Sequence, residues 1–156
     1  MLQELKNLFA ALDGGSSAHS VGEDELRIAT AALLVHAAAV DGEIDEDERV
    51  TVAHLLEQHF ATTAHEAATL LAEGEARERD AVDIYAFTRV LQQHLSQTER
   101  RRIIELLWEV TIADGEIHDF ESNLVWRAAE LIGVSTRDRV HLRQSALARA
   151  GTQGRG

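Results

Sequence analysis

Residues 39–50 read AVDGEIDEDERV and residues 112–123 read IADGEIHDFESN. The same four letters, Asp-Gly-Glu-Ile, follow a long apolar run in both places, and the match reaches well beyond them. At an offset of 73 residues, Leu33 and Leu34 fall on Leu106 and Leu107, Asp41-Gly42-Glu43-Ile44 falls on Asp114-Gly115-Glu116-Ile117, and Glu48 falls on Glu121. Further on, Thr63 and Glu66 lie near Thr136 and Asp138, so each copy offers helices in the same order. Two copies predict one domain with two pseudo-symmetric halves, because a solenoid needs about three or more repeats to bury a continuous core.

The rest of the chain points to helices. Proline is absent, and only 4% of residues are aromatic, a balance that favours helix over strand. Leu2, Leu5, Leu8, Phe9 and Leu12 place a first amphipathic helix over residues 2–12, ahead of a Gly14-Gly15-Ser16-Ser17 linker. A second helix is expected over 24–40, apolar on nearly every side from Ile28 and therefore central. Capping pairs then mark the later starts: Asp45 with Glu48, Thr63 with Glu66, Ser96 with Glu99 and Ser135 with Asp138. The expected helices are a third from about residue 46, a short fourth to about Ala72 before a charged stretch over 73–80, a fifth over 81–95, a sixth over 97–113, a seventh over 119–132 closed by Gly133, and an eighth fading into GTQGRG. The expectation is an all-α single-domain bundle of about eight helices: an N-terminal helix and linker over 1–22, the helical domain over 23–150 and a disordered tail over 151–156.

Composition excludes several function classes. A formal charge of −12 repels nucleic-acid phosphates and anionic lipid and attracts cations and basic partners. With no cysteine there is no disulfide frame or thiol chemistry. The start of the chain lacks the pattern of a secretory signal, because Glu4 and Lys6 interrupt it, and the expected location is the cytoplasm. The most apolar run, Ile28 to Val40, falls short of the ~20 residues that span a bilayer.

The repeated turn has two readings. In the structural one, Gly42 or Gly115 stops a helix, Ile44 or Ile117 hooks back into the core, and the acids that follow complement the dipole of the next helix. In the other, the turns hold cations. Asp41 and Asp114 sit at a helix carboxyl end, where the macrodipole disfavours a negative charge by some tenths of a kcal/mol. Residues 41–48 also carry six carboxylates and no base, a crowding that a metal relieves. Oxygen ligands select calcium, magnesium or manganese, and His118 in the second copy would admit zinc. Neither copy is an EF-hand: counting from Asp41, the glycine and glutamate positions hold Glu46 and Val52.

With its doubled helix, Asp-Gly turn, Ile and downstream Glu, the chain resembles the tellurite-resistance TerB-like family over roughly residues 25–149. The resemblance implies an all-α fold of two related halves with an acidic cation-binding cluster, tied to tellurite resistance and membrane-linked stress responses. Carried over residue by residue, it makes Asp41, Glu48, Asp114 and Glu121 the first metal-ligand candidates and Glu43 and Glu116 the secondary ones. Asp45 and His118 are possible additional ligands, and His118 and Phe120 depart from the acids of the first copy.

No catalytic constellation accompanies these residues. There is no Glu-x-x-His pair for a di-iron bundle, no second His to complete the zinc-protease motif begun by His65-Glu66, no nucleophile elbow and no phosphate loop. The expected protein is a non-enzymatic module that binds divalent cations and a protein partner, cytoplasmic or peripheral at the inner membrane. A purely structural scaffold for protein–protein interaction is the alternative, and a metal-dependent hydrolase is the outsider. Trp108 and Trp126 are expected in the core, and His54, His59 and His94 on polar surface. His36 is expected to be a core or edge histidine, with a pairing to its repeat counterpart Glu109 as the second option.

Overall fold

The structure is a computed structural model that describes residues 16–39, 44–112 and 119–154, the side chains of 16–21, 119–121 and 150–154 excepted. Seven helices are described: α1 (Ser16–Ala38), α2 (Glu46–Phe60), α3 (Ala64–Asp80), α4 (Tyr85–His94), α5 (Gln97–Thr111), α6 (Asp119–Ile132) and α7 (Thr136–Gly154). No strand occurs among the described residues. None of these helices is long and apolar enough to cross a membrane. The helix expected over residues 2–12 lies outside the described residues.

α1 is the axis of the bundle. Every residue from Ala29 to Val35 is buried, so no face of this stretch meets water, and α2, α3, α4 and α5 pack around it. The buried Thr30 hydroxyl is satisfied within the helix by donating to the Leu26 carbonyl at 2.8 Å. α5 mirrors it, with Ile103, Ile104, Leu106, Leu107 and Trp108 buried. The repeat governs the packing: α1 meets α2 and α3 as α5 meets α6 and α7, and α2 touches α5 as α6 touches α1. The pseudo-symmetric all-α architecture expected from the doubled motif is the one observed.

All four capping pairs form. Asp45 and Ser96 make complete boxes, each accepting from the backbone N–H three residues on while Glu48 or Glu99 accepts from the cap's own N–H. Thr63 accepts from the Glu66 N–H at 3.1 Å, and Ser135 from the Asp138 N–H at 3.2 Å. At the other helix ends the copies differ. α2 closes on Ala61 and α6 on Gly133, both left-handed, with φ of 52° and +95°. These two lie one residue closer than the offset of 73, because α6 is a residue shorter than α2. The second half uses the residue that tolerates this conformation, and the first half uses alanine.

Four boundaries differ from the sequence expectation, the first being α4, expected from residue 81 and beginning at Tyr85, with Val82 exposed ahead of it. α1 begins at Ser16, so the supposed linker residues Ser16 and Ser17 are helical; the helix is lengthened alongside α4, where Gly22 lies against the His94 ring. α3 continues through the charged stretch to Asp80. Its Gly74 permits this: a Cβ there would stand 2.7 Å from the Ala31 Cβ and 2.9 Å from the α1 backbone, so α3 lies against α1 with almost nothing between them. Residues 75–80 are then good helix formers whose acids reach neighbouring helices. α7 extends to Gly154, into the segment read as a tail.

His59 is a further correction. It is half-buried at the end of α2, its ring edge-on to Phe60 at 4.6 Å, and not on a polar surface. Burial, and secondarily the nearby Arg102, hold its pKa below the ordinary 6.5, against a smaller opposing pull from Glu99. The neutral imidazole is therefore the native form.

Two measurements follow from this packing. Gly74→Ala should lower unfolding free energy by about 1–3 kcal/mol, because the backbone of α1 cannot rotate out of the way as a side chain would. Ala61→Gly should raise it by roughly 0.5–1 kcal/mol through relief of left-handed strain; urea denaturation reads both. For pH, the unfolded chain takes up a proton at His59 near 6.5 and the native chain at a lower pH. The His59 contribution is thus complete above pH 6.5 and is lost as pH falls through the native pKa. His59→Gln should flatten the fall in stability between about pH 7.5 and about pH 5.5; an unchanged slope would remove His59 from the account.

Candidate functional site: the two acidic turns

Both DGEI turns occupy the same structural joint, α1 to α2 in the first half and α5 to α6 in the second. The helices that feed them end on buried residues, Ala38 in α1 and Thr111 with Ile112 in α5. Backbone bonds run to the end of each: the Ala39 N–H donates to Val35 and the Ile112 N–H to Trp108, both at 2.9 Å. Thr111 Oγ1 adds a bond to the same Trp108 carbonyl at 3.2 Å. Beyond the first turn, Ile44 packs partly buried against the core, the role expected of it.

Of the sequence-derived ligands, Asp45 and Glu48 are described. They are brought together, and what joins them is the capping box: Glu48 Oε1 accepts from the Asp45 N–H at 3.0 Å, and Asp45 Oδ1 accepts from the Glu48 N–H at 2.8 Å. Asp41, Glu43, Asp114, Glu116 and His118, and the side chain of Glu121, lie outside the described residues. Among the described residues, no group of three His, Asp or Glu side chains is placed to hold a metal ion.

The neighbourhood of the joints holds polar side-chain links that sequence reasoning missed. His36, in the last turn of α1, meets Glu78 of α3 at 3.1 Å between Nδ1 and Oε1, so its partner is not Glu109. With its side chain 37% exposed it is an edge histidine. Glu109 instead pairs with Arg102 at 3.6 Å and with Arg149 of α7 at 3.8 Å, beside Glu105, which accepts from Arg102 at 3.1 Å and lies 3.8 Å from Arg149. Each half therefore ties its first long helix to its last by a side-chain link before the turn, imidazole to carboxylate in the first and carboxylate to guanidinium in the second. Arg49 of α2 adds an ion pair to Glu75 of α3. The signal for these pairs is the i, i+3 spacing of Glu75 and Glu78, which has meaning only once residues 73–80 are known to be helical.

Trp108 is fully buried, as expected, and its indole N–H has no partner among the described residues. Trp126 is half-buried under the Arg139 guanidinium, 5.6 Å from the ring centroid. At the start of α5, Glu99 accepts two bonds from Ser96, chiefly the backbone one, and its carboxyl is held below the ordinary carboxylate pKa.

Comparison with known proteins bears on the whole arrangement. The family model described as Tellurite resistance protein TerB matches residues 27–144, which takes in both turns and all or part of each helix. No curated protein and no solved structure matches the chain. The match covers most of the sequence and both copies of the doubled joint on which the pseudo-symmetric fold is built, and the chain belongs to the TerB family.

Proposed function

We propose that this TerB-family chain is a non-enzymatic module that binds divalent cations at its two acidic turns and works through a protein partner, in the stress response to which tellurite resistance belongs. The observation that carries the reading is the placement of Asp41 and Asp114 just after the carboxyl ends of equivalent helices. A carboxylate there opposes the helix dipole, and a bound cation reverses the sign of that interaction. The proposed ligands are Asp41, Glu43 and Glu48 in the first half and Asp114, Glu116 and Glu121 in the second, with Asp45 and His118 as additional donors. The oxygen-rich first half would take calcium, magnesium or manganese, and the second, with His118, would also accept zinc. Capping and cation binding are compatible at Asp45, since an ionised carboxylate offers about four acceptor sites and the cap uses one. The proposed setting is the cytoplasm, with the partner at the inner face of the membrane.

The capping box at Asp45 and Glu48 favours a second reading, a scaffold in which the acids serve only the helix start. Calorimetric titration with calcium, magnesium, manganese and zinc separates the two. Cation binding should raise unfolding free energy by about 2.7 kcal/mol at a hundred times the dissociation constant, and Asp41→Asn with Asp114→Asn should abolish that gain. Asp45→Ala should cost about 1 kcal/mol in chelator through loss of the cap alone. Absence of heat, with the same melting point for wild type and the double variant in every metal, would leave the scaffold reading.

A further inference from the structure

The two halves differ at one interhelical groove. Between α1 and α3 an open groove of ≈ 460 Å³ is lined by Asp24, Arg27 and Ile28 on one side and by Glu66, Leu70 and Glu73 on the other, with His65 and Thr69 completing the wall. Ile28 and Leu70 are partly buried and form its apolar floor, and Asp24, Glu66 and Glu73 stand exposed on its rim. Among the described residues, these three carboxylates make no ion pair. The one arginine present is committed elsewhere, with its guanidinium 5.3 Å from the Phe60 ring centroid and Nη2 at 3.5 Å from Glu23.

At the equivalent place in the second half, an arginine of α5 reaches across to α7. Ile28 falls on Arg101 at the repeat offset, and Glu66 falls on Asp138, each the third residue after its helix cap. Arg101 Nη1 donates to Asp138 Oδ2 at 3.4 Å, and Nη2 donates to Thr98 Oγ1 at 3.3 Å. The second half thus carries within itself the guanidinium that the first half lacks.

We propose that the α1–α3 groove docks an arginine-bearing segment of a partner protein, whose guanidinium takes the place at Glu66 that Arg101 takes at Asp138 while its methylenes lie on Ile28 and Leu70. An arginine suits both parts of the groove, since its apolar stem covers hydrophobic surface and its planar head pairs with carboxylates. The formal charge of −12 favours the encounter with a basic segment. This specifies the partner-binding half of the proposed function and is independent of the cation at the turns.

The test is amide chemical-shift titration of the full chain, in chelator, with acetyl-Leu-Arg-Leu-amide and with the isosteric neutral peptide in which citrulline replaces arginine. Saturable shifts should be confined to residues 24–28 and 65–73 and appear with the arginine peptide only. Glu66→Gln with Glu73→Gln should weaken binding roughly fivefold. Ile28→Arg, which gives the first half its own bridging arginine, should abolish the shifts while leaving the rest of the spectrum in place. Equal response to the citrulline peptide, shifts spread over the acidic surface, or unaltered binding in Ile28→Arg would overturn the proposal. So would groove shifts that depend on protein concentration without peptide, which would assign the groove to a second copy. Because chelator is present throughout, this result and that of the metal titration are independent.

Discussion

Burial of α1 on all sides is the constraint from which the remaining structure follows. A helix with no solvent face from Ala29 to Val35 must be enclosed by other helices, and α2, α3, α4 and α5 enclose it. Small residues make this possible. Ala31 and Ala32 let α3 approach closely enough that position 74 has room only for hydrogen. Each large side chain fully buried in this core contributes about 1.5–3 kcal/mol, and Leu33, Leu34, Leu106 and Leu107 hold corresponding positions in the two halves. In the chain, each acidic DGEI stretch follows directly on one of the two buried helices, α1 and α5.

Duplication explains the frame, and the departures from it carry the individuality of the protein. Where the second half has Gly133 in a left-handed position, the first has Ala61. Beside the turn, His36 pairs with Glu78 in one half, and Glu109 pairs with Arg102 and Arg149 in the other. Arg101 bridges α5 to α7, while Ile28 leaves the α1–α3 groove open. Symmetry at the level of backbone and core therefore coexists with asymmetry of charge, and an asymmetric surface is what allows two related halves to meet different ligands.

Much of the fold was legible in the sequence because its signals are local. The Asp45, Thr63, Ser96 and Ser135 caps act within one helical turn, and the doubled Leu-Leu and DGEI elements identify the halves without reference to anything distant. The boundaries that differed depend on tertiary contact. The charged stretch over 73–80 reads as the end of α3, and only the closeness of Ala31 to Gly74 shows how the helix continues through it. The half-burial of His59 is likewise invisible along α2, because the groups that act on it, Arg102 and Glu99, come from α5. Of the candidate site, sequence identified the Asp45–Glu48 pair through its spacing. It missed the His36–Glu78 and Arg49–Glu75 links, which require α3 to be one long helix.

Contact between α1 and α5 should make both halves fold as one cooperative unit. Native-state hydrogen exchange tests it most directly by giving an opening free energy for each amide. The account predicts that amides of residues 31–35 and 103–107 exchange only through global unfolding, with the same free energy and the same denaturant dependence. Exchange of one set at a distinctly lower free energy, with the other half still protected, would show two independent units and contradict it.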